Sequence, residues 1–392
     1  MKEQVDQKPD GKKQIALLGA AHSFNHSLFY IAPTLLPLIM KSLNVTKSEI
    51  GLVSMIASFT YGFGALVGGP LGDKIGEERT ITISLLLSGL STFIMLMTDF
   101  AQGIYVYALA LILMALWASL YHPTANSLIS KTFKGRVAEA MGLHGVGGTI
   151  GVAATPIIAG GLGECFGWTW AFTAFGLICI VLALALARSF GRKEARHDGQ
   201  GTLINALKIR ELWILLIFNV AVGLFMKGVE LYTPIYLYEN RNIDLWWVWI
   251  AYTAILTAGI SGQWVGGKAS DKYGSKKVLI ATMVGVCLSL VSLLLFPIPL
   301  VGIILFVMLY GVSFFAHQPS LNSLTGFLSP TSQRGAVYGI LFFTSFGIGS
   351  ISQVIAGYMA DAYGLDSAFY LFIGFAVAAL LLSFRLPDKR EE

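Results

Sequence analysis

The stretch Gly68–Arg79 reads GGPLGDKIGEER, and it returns at 266–277 as GGKASDKYGSKK with the same Gly-Gly-x-x-x-Asp-Lys-x-Gly spacing. Asp73 and Asp271 are 198 positions apart. A second stretch, YHPTANSL (121–128), returns as HQPSLNSL (317–324), with Pro123 and Pro319 separated by 196. Two unrelated stretches repeating at nearly one offset point to a duplicated chain. In each copy the loop has a physical sense. Gly68, Gly69 and Gly72 let a helix end approach a neighbour closely. Gly76 permits a tight turn. Asp73 is suited to accept hydrogen bonds from a helix N-terminus, where the dipole favours an anion.

The surroundings of these loops decide the environment. Of 392 residues, 55% are hydrophobic and only 12% charged, about half the usual charged fraction of a soluble domain. Such a chain belongs in a membrane. Twelve apolar runs are long enough to cross a bilayer as helices, the first near 14–38 and the last near 366–385. The run after the polar N-terminus MKEQVDQKPDGKKQ lacks a small-residue cleavage pattern, so it reads as a first spanning helix rather than a removed signal. The expected fold class is an all-α integral membrane protein with twelve transmembrane helices in two pseudo-symmetric six-helix bundles. The bundles cover 1–188 and 211–392. The polar stretch 189–210 is a cytoplasmic linker.

Charge sets the topology. With the N-terminus, the even loops and the C-terminus on one side, that side receives 23 of the 27 Lys and Arg. The odd loops hold Lys41, Lys47 and Arg241. The positive-inside rule therefore predicts cytoplasmic termini in a cell membrane. The net charge of +5 is used up by this asymmetry, so it does not imply a nucleic-acid partner. The three cysteines are far apart and read as packing residues, and no cofactor is expected.

One basic residue belongs to no loop. Lys227 lies in LWILLIFNVAVGLFMKGVELYTPIYLY, three residues before Glu230. An i,i+3 pair on a helix can touch, and the plainer reading is a pair that only neutralises itself. A buried pair still costs several kcal/mol to desolvate, and apolar side chains would pack at lower cost. Intramembrane charge is a functional hypothesis by default. The expectation is that Lys227 attracts an anionic substrate group and that Glu230 or a histidine carries a coupling proton. Five of six histidines fall in predicted helices, namely His22, His26, His122, His144 and His317. Histidine titrates near neutrality, which suits a proton carrier, although each can equally hydrogen-bond a neighbouring carbonyl. His22 and His26 share a helix face and could share a metal ion. No membrane carboxylate or cysteine is placed to complete that shell, so no metal ligation is expected.

Both copies of the loop resemble the signature loop of the major facilitator superfamily. The twelve helices and central linker extend that resemblance over nearly the whole chain. The resemblance implies a gating role for Asp73, supported by Gly69, Gly76 and Arg79, and for Gly267, Asp271, Gly274 and Lys276 in the second copy. Glu77 and Glu78 stand where the family shows basic residues. GGTIGVAATPIIAGG (147–161) resembles the helix-5 motif of proton-coupled exporters through Gly151, Pro156 and Gly160. In this family, helices 1, 4, 7 and 10 line the cavity. Here they carry Asn25, His26, Tyr121, His122, Lys227, His317 and Gln318 as substrate-binding candidates, with Glu230 and His22 for the proton, joined by His144 of helix 5. His22, Asn25, His122-Pro123, Gly135-Arg136, Val146-Gly147-Gly148 and Lys227 are also similar to the fosmidomycin-resistance type of exporter.

The resemblance implies alternating-access transport with export of a small organic anion or antibiotic-like compound coupled to protons. Its partners are a small-molecule substrate, H+ and the lipid bilayer, and a monomer is expected. An organic-acid importer or exchanger is the alternative within transport. A divalent-metal transporter or a non-transporting sensor are the alternatives beyond it. No nucleophile–base spacing or phosphate loop suggests an enzyme.

Overall fold

The computed structural model describes residues 9–100, 103–133, 136–189, 206–330 and 333–387. Gly135 and most of the 189–210 linker lie outside the described residues. Twelve helical stretches follow one another, with no strand among the described residues. They are α1 (Pro9–Thr34, continued by Leu36–Leu43), α2 (Lys47–Ile75), α3 (Glu77–Met97), α4 (Gly103–Thr132), α5 (Val137–Phe166), α6 (Trp168–Ser189), α7 (Arg210–Glu239), α8 (Leu245–Tyr273), α9 (Ser275–Leu295), α10 (Pro299–Leu328), α11 (Arg334–Tyr363) and α12 (Leu365–Ser383). Eleven of them, α2 to α12, are long and apolar enough to cross a membrane. The first has the length, and His22, Asn25 and His26 dilute its hydropathy.

The duplication seen in the sequence reappears in the backbone. Gly76 joins α2 to α3 with φ 97° and ψ 136°, and Gly274 joins α8 to α9 with φ 89° and ψ 144°. A side chain is strained in that conformation, which explains a glycine at both places. Gly167 and Gly364 take the same φ region between α5 and α6 and between α11 and α12. Asn44 and Asn242, both at φ 52°, occupy the α1–α2 and α7–α8 junctions. Asparagine is among the few residues that tolerate this left-handed region. The described positive-φ residues thus sit at matching junctions in the two halves.

Within the first bundle α1 packs on α5 and α3 on α6, and within the second α8 and α9 pack on α10. Across the divide α2 meets α11 and α5 meets α8. Three interruptions matter for the site. α1 breaks at Leu35, ahead of Pro37. α4 breaks at Ser119–Leu120, because Pro123 has no N–H and its ring crowds the carbonyl four residues back. Asn25 of α1 donates to the buried Ala118 carbonyl at 3.1 Å, bracing that break. α11 contains a π turn at Phe343–Gly347, and Asn219 of α7 supports it by donating to the Leu341 carbonyl (2.6 Å) and to Thr344 Oγ1 (2.9 Å). Such bulges are frequent at functional sites.

Candidate functional site

The break in α4 brings His122 and Tyr121 against α1, where His22 and His26 are one turn apart. His144 arrives from α5. The ring of His22 is 4.6 Å from His26, 4.9 Å from His122 and 4.0 Å from His144, centre to centre. His22 Nδ1 lies 2.8 Å from the backbone carbonyl of His144 and must donate to it. Its Nε2 is then the lone-pair nitrogen of a neutral ring, and it is buried without a partner among the described residues. The Tyr121 hydroxyl donates to the Leu18 carbonyl at 2.7 Å and lies 3.1 Å from His144 Nε2. Close packing shapes the cluster. A Cβ on Gly148 of α5 would fall 2.5 Å from the His22 ring.

Lys227 and Glu230 of α7 form a second centre. Nζ is 2.8 Å from Oε1, with side chains only 3% and 14% exposed. The ammonium also lies 5.0 Å from the centre of the Phe346 ring, a cation–π distance. Phe346 stacks on Phe342 at 4.4 Å, and Phe342 is 6.0 Å from His122. Phe342 immediately precedes the π turn of α11 and Phe346 lies within it, so the stacked pair bridges the lysine to the histidine cluster. Two small pockets of about 30 Å³ each share Glu230. One is lined by aromatic rings of both bundles, among them Tyr30, Tyr252, Tyr310 and Phe314. The other is lined by Lys227 and Gln353 from the second bundle and by Phe29, Ser54 and Ser58 from the first. Ser54 Oγ, Gln353 Oε1 and Thr233 Oγ1 on these walls are buried and have no hydrogen-bond partner among the described residues. Buried polar atoms are usually hydrogen-bonded, so three unpartnered ones on the walls beside one charged pair call for an explanation.

The remaining candidates are dispersed. His317 turns its Nδ1 back to the Phe314 carbonyl of its own helix, and Gln318 accepts from Gln263 at 3.3 Å. Neither lines the two pockets. Gly151 packs on Ser23 of α1, while Gly160 lies against the indole of Trp249, which enters from α8. Pro156 is carried within the helix between them. In the first loop Asp73 is buried, 3.6 Å from Lys131 of α4, and Glu77 receives Lys131 at 2.6 Å and Ser127 at 3.0 Å. The acidic Glu77 thus works as a partner for a basic helix end. The second loop is not its equal, since Asp271 is exposed there and Lys276 half-buried. Gly69 and Gly267 are half-buried, and Arg79 is exposed.

Contacts between the bundles gather at the end away from these loops. Trp249 Nε1 donates to the Thr34 carbonyl at 3.1 Å. The Tyr232 hydroxyl lies between the Lys47 and Gln353 carbonyls, at 3.0 and 2.7 Å. Lys47 Nζ is 3.0 Å from Glu239. Asp361 of α11 accepts the Lys47 and Ser48 backbone N–H groups at 3.0 and 2.8 Å, capping α2 from the other bundle. These residues, the pocket tyrosines, Ser54 and Gln353 were not singled out from sequence. Polar side chains interrupting the apolar runs of α2 and α11 were the available signal.

The model of the Major Facilitator Superfamily matches residues 16–353. The chain belongs to the major facilitator superfamily. It is therefore a multi-pass membrane transporter of that superfamily. Among its relatives, the fosmidomycin resistance protein of Escherichia coli (strain K12) is 23% identical, over 97% of this chain and 95% of that one. The gentisate transporter of Corynebacterium glutamicum is 25% identical, over 89% and 80%. The same fold occurs in the crystal structure of a bacterial homolog of the human lysosomal transporter Spinster in an inward-facing and unoccupied conformation (TM-score 0.78, 16% identity, 97% of each chain). It occurs also in the nucleoside transporter NupG (TM-score 0.80, 15% identity, 95% and 99%). The superfamily fold accounts for the twelve helices and the duplicated loops.

Proposed function

We propose that this superfamily member is a proton-coupled secondary transporter of a small organic anion or antibiotic-like compound. The bundles 1–188 and 211–392 rock about the Lys227–Glu230 site, with both termini cytoplasmic, and the unit is a monomer. The 189–210 linker joins the bundles on the cytoplasmic side. One observation carries this reading: the buried Lys227 lines one pocket, its partner Glu230 lines that pocket and a second, and the walls of both hold polar atoms with no hydrogen-bond partner among the described residues. Lys227 supplies charge to a carboxylate or phosphonate. Ser54 can donate to the same group, and the aromatic wall accepts an apolar body. Glu230, with His22 and His144, holds the coupling proton. Asn25, His26, Tyr121 and His122 shape the facing wall. Asp73 and the loop glycines Gly69, Gly76, Gly267 and Gly274, with Arg79, Asp271 and Lys276, govern the switch.

Export is what likeness to the fosmidomycin resistance protein favours. One feature favours import. Glu230 already occupies Lys227, so an anion gains the lysine most readily once Glu230 is protonated. Proton and anion then bind together, which is the linkage of a symporter. Thermal unfolding of the purified protein with fosmidomycin, gentisate or buffer, at two pH values, tests the substrate class. A stabilised probe is then followed in sealed vesicles with an imposed pH gradient. Symport predicts tighter binding at lower pH and uptake toward the alkaline side, and exchange predicts the reverse. Unchanged transport and pH dependence in both Lys227→Ala and Glu230→Gln would sink the site assignment.

A further inference from the structure

The sequence offers two histidines one turn apart, and the fold supplies a third from another helix. One nitrogen from each of His22, His26 and His122 lies within 4.8 Å of the others. We propose that these three side chains form a binding site for a divalent transition-metal ion of the zinc, cobalt or nickel class, independent of how transport is coupled.

Four observations converge on it. The first is reach. Zinc–imidazole bonds of about 2.0–2.1 Å place ligand nitrogens roughly 3.4 Å apart in a tetrahedron, so each nitrogen need move by less than about 1 Å. Small side-chain rotations supply that. The second is the tautomer. His22 gives its Nδ1 hydrogen to the His144 carbonyl, which leaves Nε2 as the nitrogen available to a ligand. Metal-ligating histidines are held in this way by a carbonyl or carboxylate behind them. The third is that His22 Nε2 and His122 Nε2 are both buried with no hydrogen-bond partner among the described residues, a deficit that a cation removes. The fourth is the frame. His22 and His26 share a helix face, and His122 is fixed just after the α4 break by Pro123 and by the Asn25 bond to Ala118. Gly148 closes over His22, where a side chain would displace the ring.

The ligand type selects the ion. Neutral imidazoles suit zinc, copper, nickel and cobalt, whereas calcium and magnesium require oxygen ligands. Three protein ligands leave a fourth position open. No carboxylate belongs to the cluster, and Lys227 is near enough to act electrostatically on His26. Glu230 offsets the lysine, and a fourth ligand of negative charge, hydroxide or an organic carboxylate, suits the remaining position.

Titration of the purified full-length protein with Co²⁺ tests this. The expected result is one cobalt per chain with the intense visible absorption of a tetrahedral site, bleached by added Zn²⁺. His22→Ala, His26→Ala and His122→Ala should each weaken binding by about 10-fold or more. His144→Ala keeps its carbonyl and His317→Ala lies on α10, so both should bind as the native chain does. X-ray absorption at the zinc edge of the native protein should count three imidazoles, a reading that does not depend on any variant folding. Absence of the cobalt band together with absence of imidazole scattering would overturn the site and leave a proton-carrying cluster. Equal binding by native protein and the His22, His26 and His122 variants would overturn it as well.

Discussion

Lys227 shows what one residue can carry. Its ammonium is enclosed, and Glu230 is its ion-pair partner among the described residues at 2.8 Å, helped by the Phe346 ring. Removing one member of a buried pair leaves an uncompensated charge, which costs about 3–5 kcal/mol, whereas an apolar pair of similar volume is often neutral or stabilising. Glu230→Gln alone should therefore lower the unfolding temperature clearly. The double variant Lys227→Met/Glu230→Leu should unfold at or above the native temperature. If the pair is a working site, that stable double variant transports none of the probe that stabilises the native protein. A stable and fully active double variant would make the pair structural. The lysine and its partner were both legible in the sequence, because i,i+3 spacing on a helix is a local property. The orphan atoms beside them were not, because Ser54 and Gln353 are nearly 300 residues apart.

At the scale of elements, α11 links the lysine to the histidine cluster and the two bundles to each other. It carries the π turn held by Asn219, the stacked phenylalanines that bridge Lys227 to His122, and Asp361 at its far end. Asp361 places a carboxylate on the N-terminus of α2, where both the dipole and the free N–H groups favour an anion. Asp361→Asn keeps the shape and removes the charge. It should weaken this latch by about 1–2 kcal/mol, a shift of roughly 5–30-fold in the balance between closed and open ends. Distances between spin labels on the start of α2 and the end of α11 should lengthen in the variant, and an unchanged distribution would count against the latch. The repeat predicts similar behaviour of α4 and α10 around Pro123 and Pro319. Only α4 breaks, while α10 runs unbroken from Pro299 to Leu328. The difference lies in the neighbours, since Asn25 is there to take the Ala118 carbonyl, whereas in α10 the His317 ring bonds the Phe314 carbonyl locally.

For the whole molecule, the relation between the bundles is the variable that transport must change. Trp249 wedges between α1 and α5, held by the Thr34 carbonyl and seated on Gly160, where a Cβ would lie 2.2 Å from the indole. Gly160→Val should expel the indole, loosen the closed end and leave each bundle folded. Thiol labelling of a cysteine placed at Ser48 should accelerate in this variant by about 10-fold if the end opens by about 1.4 kcal/mol. Labelling at the native rate would show that Trp249 does not hold the bundles together.

The sequence by itself determined the membrane class, the twelve spans, the duplicated loops and the presence of ionisable groups inside the helices. Each of these follows from composition or from spacing along one segment. It also marked Gly151, Pro156 and Gly160 as a packing face, though not that Gly160 faces the other bundle. Tertiary structure alone decided which polar groups meet. It joined His22, His26, His122 and His144 in one cluster and left His317 on its own helix. It set Glu230 on two pockets and Lys227 on one of them, and it closed the molecule at the end opposite the duplicated loops. Those outcomes depend on how helices far apart in the chain lean on one another, and small glycines, a proline break and a π turn set that lean through contacts that local periodicity does not encode.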